Sequence, residues 1–179
     1  FQSLFEGILK IVIFVAYMAL TALSKDVKRM YGYHGAEHKT IACYEAGKPL
    51  TVENVRPMRR FHPRCGTSFI FLVLIISILI YSIFPITNAF FVDAFGVSEA
   101  IAMILRVSCK ILLLPIIVGI SYEVIRIAGR YDNVVTHIIS APGLALQRIT
   151  TKEPDDSMIE TAIAAMERVI PENKDEDKW

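Results

Sequence analysis

The sequence predicts an all-α integral membrane protein with about three transmembrane helices. The chain of 179 residues is 54% hydrophobic, with a mean hydropathy of +0.46, whereas apolar residues make up about 45–50% of a typical soluble domain. Three apolar runs, residues 4–23, 67–84 and 101–122, approach the roughly 20 residues that a helix needs to cross a bilayer. Buried core helices of a soluble protein are the alternative, and the absence of any charged residue from 67–84 argues against it.

The second and third runs differ in how they are interrupted. The second run stops at Pro85, because proline ends a helix that it cannot continue. The third contains Arg106, Lys110 and Pro115. We therefore expect its first half to be an amphipathic lead-in and its second half to form the span.

The distribution of positive charge predicts the orientation of the chain in the cell membrane. Residues 24–66 contain nine Lys and Arg residues, whereas residues 85–100 contain none. The positive-inside rule therefore places 24–66 and the C-terminal part in the cytoplasm and 85–100 outside. The first span would then run inward, and because the chain begins with Phe1 we expect further sequence to precede it.

The division that we expect is a membrane domain over residues 1–130, which contains the cytoplasmic loop 24–66, and a C-terminal part over 131–179. The apolar stretch 134–151 is broken by Pro142 and Gly143, so we expect it to lie on the membrane surface or to dip into it. An amphipathic cytoplasmic helix should follow between Pro154 and Pro171. Its apolar face would be lined by Ile159, Ala162, Ile163, Met166 and either Val169 or Ile170.

The cytoplasmic loop contains the spacing H-x-x-E-H at His34, Glu37 and His38. On a helix the two histidines face the same way, so they can bind one ion. This is the inverted zinc-protease arrangement, in which the glutamate activates a metal-bound water. We expect the helix to begin after Gly32 and to end near Gly47.

Two further ligand candidates, His62 and Cys65, lie in RFHPRCGTSF on the same loop. Together with the two histidines they give four ligands of the types that zinc prefers. The reducing cytosol keeps Cys65 available as a thiol. The nearby cations of Lys39 and Arg64 would favour the thiolate or bind an anionic substrate group.

Several of these residues have a second interpretation. Glu37 would equally serve to orient a histidine ligand, and Cys65 would equally serve as a nucleophile, since both roles use the thiolate. Glu123, at the cytoplasmic end of the third span, is a candidate ligand or base. It would otherwise form an ordinary interfacial ion pair with Arg126 or Arg130.

Several motifs together resemble the YqhQ-like family of bacterial membrane proteins: YHGAEHKTIACYE, LTVENVR, HPRCGTSF, LLPIIVGISYEVIR and PGLALQRITTKEPDDSMIETAIAA. The resemblance covers most of the chain, and it implies a multi-spanning membrane protein with a metal-dependent activity and no established substrate. Members of that family are usually longer at the N-terminus. Their motif positions correspond here to His34, Glu37, His38, Lys39, His62, Arg64, Cys65, Glu123 and residues 150–154.

The function that we expect is metal-assisted hydrolysis at the boundary between membrane and cytosol. The cofactor would be a divalent metal ion, with zinc as the first candidate. His34 and His38 with one or both of His62 and Cys65 would hold the ion, Glu37 or Glu123 would be the general base, and Lys39 and Arg64 would steady an anionic group. The partners expected are the lipid bilayer and a lipid or membrane-peptide substrate. A net charge of +1 gives no reason to expect nucleic acid.

Two other functions stay open at this point. A closed shell of four protein ligands would make the zinc site structural, and the protein would be a non-enzymatic scaffold. A transporter subunit would use Arg106, Lys110 and Glu123 as intramembrane charges, and with only three spans it would need to form an oligomer.

Overall fold

A computed structural model of the chain describes residues 2–84, 86–131 and 133–171, with side chains from Phe5 onward. Over these residues the protein is all-helical and contains no strand. The helices are, in chain order, α1 (Gln2–Thr21), α2 (Lys25–Glu45), α3 (Val52–Val55), α4 (Gly66–Ile83), α5 (Asn88–Phe95), α6 (Glu99–Arg130), α7 (Val134–Thr150) and α8 (Asp156–Glu167).

Among the residues that the structure describes, two or three helices are long and apolar enough to cross a membrane. The two are α6 and the stretch Gly66–Phe95, which begins with α4. The third arises only if α1 and α2, which meet at a bend of 100°, are counted as one span. Only 6% and 11% of the most apolar windows of the first two are buried inside the protein. Such exposed apolar surface is expected of helices that face lipid rather than water.

Helix α6 is one continuous helix of 32 residues that passes through Pro115. No break in α6 separates the expected amphipathic lead-in from the expected span. Lys110 points back across α4, where its ammonium lies 5.0 Å from the centre of the Tyr81 ring. A cation–π contact of this kind is attractive, and it is stronger where the cation is removed from water. The predicted stop at Pro85 falls outside the described residues, and α4 ends at Ile83.

The expected break at Pro142 and Gly143 is wrong, because both residues lie inside the continuous helix α7. Asn133 begins this helix with a reciprocal capping box to Thr136. Gly143 allows α4 to approach closely, since a Cβ at this position would lie 2.6 Å from the Cβ of Ser68. The glycine therefore serves helix packing, and the packing compensates for the hydrogen bond that the proline removes.

The predicted C-terminal helix is present as α8. The carboxylate of Asp155 accepts a hydrogen bond from the Met158 amide and caps its first turn. Its apolar face packs on α2 and α3, where Ile159 and Ala162 are buried in a core with Ala36, Cys43 and Val55. Val169 is 72% exposed and lies beyond the end of the helix at Glu167.

The packing crosses the expected boundary at residue 130. Helix α8 packs on α2, and α7 packs on α4 and α6. The C-terminal part therefore packs against residues 24–66 and against the apolar helices α4 and α6. The two-part division itself stays a prediction of the sequence.

Candidate metal centre

Helix α2 and the start of α4 bring two histidines and one cysteine together. His34 and His38 lie one turn apart on α2, and Cys65 is the residue immediately before α4. One ligand atom from each residue lies within 4.8 Å of the others. The Nε2 of His34 is 3.2 Å from the Sγ of Cys65. His38 and Cys65 are 4% and 5% exposed, so the cluster is largely shielded from water.

The helix that holds the histidines begins earlier than expected. Helix α2 starts at Lys25 and runs through Gly32, which is a helical residue rather than the helix start. A Cβ at Gly32 would lie 2.7 Å from the sulfur of Met158 on α8. The glycine therefore marks a close helix contact. The predicted end is confirmed: the helix stops at Glu45, and Gly47 adopts a positive φ of 66°.

Both histidines on α2 are oriented by backbone carbonyls. The Nδ1 of His34 donates to the carbonyl of Thr150 at 2.8 Å, and the Nδ1 of His38 donates to the carbonyl of Arg60 at 2.6 Å. A carbonyl can only accept a hydrogen bond, so Nδ1 carries a proton in each ring. Each Nε2 is therefore the nitrogen left for a ligand. Histidines that bind metals in proteins almost always use their other nitrogen in this way.

The spacing and the chemistry of the three donors fit a small divalent cation. Zinc binds imidazole nitrogen at about 2.0–2.1 Å and thiolate sulfur at about 2.3 Å, so tetrahedral geometry places nitrogen and sulfur about 3.6 Å apart. The observed contact of 3.2 Å and the upper limit of 4.8 Å bracket that value. Two imidazoles and one thiolate are a donor set suited to zinc.

The electrostatics of the cluster favour the thiolate form of Cys65. Burial acts to raise the pKa of this thiol, but hydrogen bonds with His34, His38 and Thr67 outweigh it and lower the pKa to about 5. The hydroxyl of Thr67 lies 3.1 Å from Sγ. The hydrogen bond to Cys65 in turn raises the pKa of His34. At neutral pH the sulfur is thus in the form that binds metals and attacks electrophiles.

His62, the fourth predicted ligand, lies beside the cluster without joining it. Its ring centre is 5.8 Å from that of His38, but its Nε2 faces the carboxylate of Glu45 at 3.4 Å. The hydrogen bond with His62 lowers the pKa of Glu45 against the opposing effect of burial. The main chain of His62 is held by the side-chain amide of Gln147, which donates to its carbonyl and accepts from its N–H.

The two predicted anion-binding cations are engaged with carboxylates. Lys39 is 4% exposed, donates to the carbonyl of Arg56 at 2.8 Å, and forms an ion pair with Glu153. Arg64 forms an ion pair of 2.5 Å with Glu45. These contacts hold the segment around 153 and the loop before α4 against α2. Whether either cation also contacts a substrate anion stays a prediction of the sequence.

The two predicted bases lie outside the group of three donors. Glu37 is exposed on α2 immediately before His38, and its negative charge contributes to the raised pKa of His34. Glu123 is exposed on α6 and forms an ion pair with Arg126 at 3.3 Å. Arg126 is one of the two ion-pair partners that the sequence analysis considered for Glu123, and the role of Glu123 as a ligand or base stays a prediction.

Three residues that position the cluster were given no such role by the sequence analysis. Thr150 offers its carbonyl to His34, Gln147 fixes the chain before Cys65, and Glu153 neutralises Lys39. Gln147 is fully buried and also donates to Ser68 at 2.7 Å. The signals in the sequence were the 150–154 motif, which contains Thr150 and Glu153, and a glutamine near the end of α7.

Comparison with known proteins places the chain in a family. Residues 1–172 match the model of the family described as "Protein of unknown function (DUF1385)". The chain belongs to this family. It is also 34% identical over 170 residues to the uncharacterized protein YqhQ of Bacillus subtilis (strain 168), which agrees with the resemblance found from the motifs. The alignment covers 94% of this chain and 49% of YqhQ, so the chain spans about half the length of that relative. No solved structure matches the chain.

Proposed function

We propose that this protein is a membrane-associated, metal-dependent enzyme, a hydrolase that binds one divalent ion, zinc by preference, through His34, His38 and Cys65. The observation that carries the proposal is the orientation of the two imidazoles. Each donates from Nδ1 to a backbone carbonyl, and one ligand atom from each of His34, His38 and Cys65 lies within 4.8 Å of the others. A buried cluster of donors arranged in this way is the usual protein environment of a bound metal.

Three protein ligands, rather than four, favour a catalytic over a structural site. Structural zinc sites are closed by four protein ligands, whereas catalytic sites keep one position open. Such an ion acts as a Lewis acid and lowers the pKa of a bound water to about 7. The contact between His62 and Glu45 supports the open form, because it turns the nearest further imidazole nitrogen to another partner.

Within this proposal Glu37 is the general base that accepts a proton from the attacking water. It lies on the same helix as both histidines, directly beside His38, and its exposed carboxylate can exchange protons with the solvent. Glu123 is the weaker candidate because Arg126 already pairs with it. Lys39 and Arg64 hold the scaffold through Glu153 and Glu45, so we assign no substrate contact to them.

The substrate class follows from the position of the cluster. Cys65 immediately precedes α4, the start of an apolar stretch that is able to cross a membrane. A site at such a helix end lies close to the level of the lipid headgroups. We therefore expect a lipid or a membrane-embedded peptide as substrate, on the cytoplasmic side that the charge distribution predicts.

The test begins with metal content. The protein is purified in detergent without a histidine tag, and bound metals are measured by elemental analysis in the wild type and in His38→Ala, Cys65→Ala and Glu37→Gln. We expect about one zinc per chain in the wild type and in Glu37→Gln, and loss of zinc in the two ligand variants. His137→Ala is the matched control, because it removes a histidine that is outside the cluster.

Activity is then measured as metal-dependent release of product from ester, phosphate and peptide probes in detergent. Glu37→Gln should keep its zinc and lose turnover by about 100-fold or more, the usual contribution of a general base. Absence of metal from the wild type after reconstitution would overturn the proposal. Full turnover in a zinc-free His38→Ala protein would overturn it as well.

One observation favours a second function, a cysteine nucleophile without metal. The thiolate of Cys65 lies 3.2 Å from an imidazole and at the N-terminus of a helix, where the helix dipole favours negative charge. A nucleophilic Cys65 would stay active in excess chelator and would be blocked by iodoacetamide. A metal enzyme would lose its activity in the chelator and regain it on addition of zinc.

A further inference from the structure

The start of α2 and the segment before α8 form an open groove of about 360 Å³. Its lining contains four cations and two acids: Lys25, Lys28, Arg29, Lys152, Glu153 and Asp155. Gly32 and Met158 complete it. The groove is separate from the metal cluster, since none of its lining residues belongs to the group of three donors.

The positive charge of the groove is only partly neutralised by its own acids. Glu153 forms ion pairs with Lys39 and Arg60, which are not groove residues. Asp155 caps α8 and interacts with Arg29. Among the described residues, Lys25, Lys28 and Lys152 form no ion pair closer than 4.0 Å. Three ammonium groups are thus left to attract an anion.

The backbone holds these cations in place. Lys25, Lys28 and Arg29 are spaced so that they share one face of α2. Lys152 approaches from the other side because its N–H donates to the carbonyl of Tyr31 at 2.8 Å. Gly35 makes this crossing possible, since a Cβ there would lie 2.0 Å from the Lys152 carbonyl oxygen. The groove is therefore a built feature of the fold, not a chance cluster of surface lysines.

The groove opens where the apolar helix α1 ends. Helix α1 stops at Thr21, and α2 departs from it at an angle of 100° from Lys25. If α1 runs into the bilayer, α2 lies close to the membrane surface at the level of the headgroups. The junction also exposes Leu20 and Leu23 by 66% and 79%. Apolar residues next to basic ones are typical of segments that lie in the lipid interface.

We propose that this groove binds the phosphate of an anionic phospholipid, with Lys25, Lys28 and Lys152 around the phosphate and the apolar residues of the junction against the acyl chains. Phosphate and ammonium groups attract each other as point charges, and each well-placed cation adds to the attraction of an anionic membrane. A phosphopeptide would satisfy the same cations but would leave the apolar junction uncovered. The lipid is therefore the occupant that explains both observations.

The test uses detergent-purified protein and three soluble probes: short-chain phosphatidylglycerol, phosphatidylcholine with the same chains, and inorganic phosphate. Binding is followed by the shift of the thermal unfolding temperature over a titration. We expect saturable stabilisation by phosphatidylglycerol and at least tenfold weaker effects of the other two probes. Equal stabilisation by inorganic phosphate would overturn the lipid as the occupant.

Two variants of equal charge separate the groove from general electrostatics. In the groove variant, Lys25, Lys28 and Lys152 are each changed to Gln. In the matched control, Lys48, Arg59 and Arg168, which are exposed elsewhere, are changed to Gln. The groove variant should bind phosphatidylglycerol about tenfold more weakly or worse, and the control should bind as the wild type does. Equal losses in both variants would overturn the proposal.

Binding of phosphatidylglycerol in the groove should not depend on the metal site. His38→Ala leaves every groove residue in place, so it should bind phosphatidylglycerol as the wild type does even if it has lost its metal. A wild type that binds the lipid but contains no metal would contradict the proposed enzyme and leave the groove intact. A wild type that binds zinc but shows no preference for phosphatidylglycerol would contradict only the groove.

Discussion

The Nε2 of His34 lies 3.2 Å from the Sγ of Cys65, although 31 positions separate the two residues in the chain. The contact joins the middle of α2 to the first residue before α4. The His34 ring is held in this position by the carbonyl of Thr150 at the end of α7, which accepts a hydrogen bond from Nδ1. Three separate helices therefore determine the geometry of one pair of donor atoms.

The number of metal ligands is tested at His62. His62→Ala should keep about one zinc per chain, since the Nε2 of this residue faces Glu45 and its main chain remains held by Gln147. Metal content is measured by elemental analysis beside His38→Ala, which should lose the ion. A folded His62→Ala protein without zinc would show that His62 is a fourth ligand and would favour the structural scaffold.

Gln147 should contribute strongly to stability. Gln147→Leu removes three hydrogen bonds and leaves the buried N–H and carbonyl of His62 without these partners. We expect a loss of about 3 kcal/mol, since an unsatisfied buried polar group costs roughly 1–3 kcal/mol. The unfolding temperature in detergent should fall by roughly 10 °C.

The control for this variant is Ser68→Ala, which removes only the hydrogen bond to the Gln147 amide. It should lower the unfolding temperature by roughly 3 °C, in line with about 1 kcal/mol. If both variants unfold at the same temperature, the hydrogen bonds to His62 are not the source of the stability.

Gly35 should tolerate no side chain. Gly35→Ala places a Cβ about 2.0 Å from the carbonyl oxygen of Lys152, which is main chain and cannot rotate away. The segment before α8 must then move off α2, and the carbonyl of Thr150 moves with it. We expect lower thermal stability and weaker zinc binding, measured by competition with a chelator.

The matched control for this substitution is Gly119→Ala. A Cβ at Gly119 has no neighbour within 4 Å, and alanine is favoured over glycine in a helix by about 1 kcal/mol. Gly119→Ala should therefore keep or raise the unfolding temperature and leave zinc binding unchanged. Weakened zinc binding in the control would mean that the effect at Gly35 is not local.

Stability should fall in acid through Glu153. Burial acts to raise the pKa of this carboxyl, but the hydrogen bonds and charges of Lys39 and Arg60 lower the pKa below its ordinary value of 4.5. A lowered pKa in the folded state contributes stability that is present above pH 4.5 and is lost as the pH falls through the lowered value. The unfolding temperature of the wild type should therefore drop more steeply below pH 4.5 than that of Glu153→Gln.

At pH 7 Glu153→Gln should already be less stable than the wild type, because it leaves the ammonium of Lys39 buried beside a neutral partner. Asp156→Asn is the control, since its ion pair with Arg56 is more than half exposed on both sides. Exposed pairs contribute about 0–1 kcal/mol. Equal effects of the two substitutions would contradict a special role for the buried lysine.

Local patterns in the sequence predicted much of the architecture. The apolar runs gave the helices that are able to span a membrane, and the spacing of His34 and His38 placed both imidazoles on one face of a helix. The helix α8 and its opening at Asp155 were also predicted correctly. These features depend on residues within one or two turns of each other, where the helical repeat alone determines the outcome.

The errors occurred where a residue type has both a local and a long-range meaning. Gly32 was interpreted as the residue that precedes a helix and the Pro142–Gly143 pair as a break, but both glycines lie within helices and allow close contact, with Met158 and with Ser68. The side chain of His62 is turned to Glu45, and its role as a ligand beside Cys65 stays a prediction. Lys39 pairs with Glu153, and its contact with an anionic substrate stays a prediction.

The sequence by itself determined the kinds of donor in the cluster, the helices that carry them and the family to which the chain belongs. The tertiary structure decided which donors meet, which nitrogen each histidine presents and which charges are neutralised within the protein. The physical reason is that the deciding contacts join residues far apart in the chain. Hydrogen bonds such as that from His34 to Thr150 join residues 116 positions apart, and no spacing within a single segment encodes such a contact.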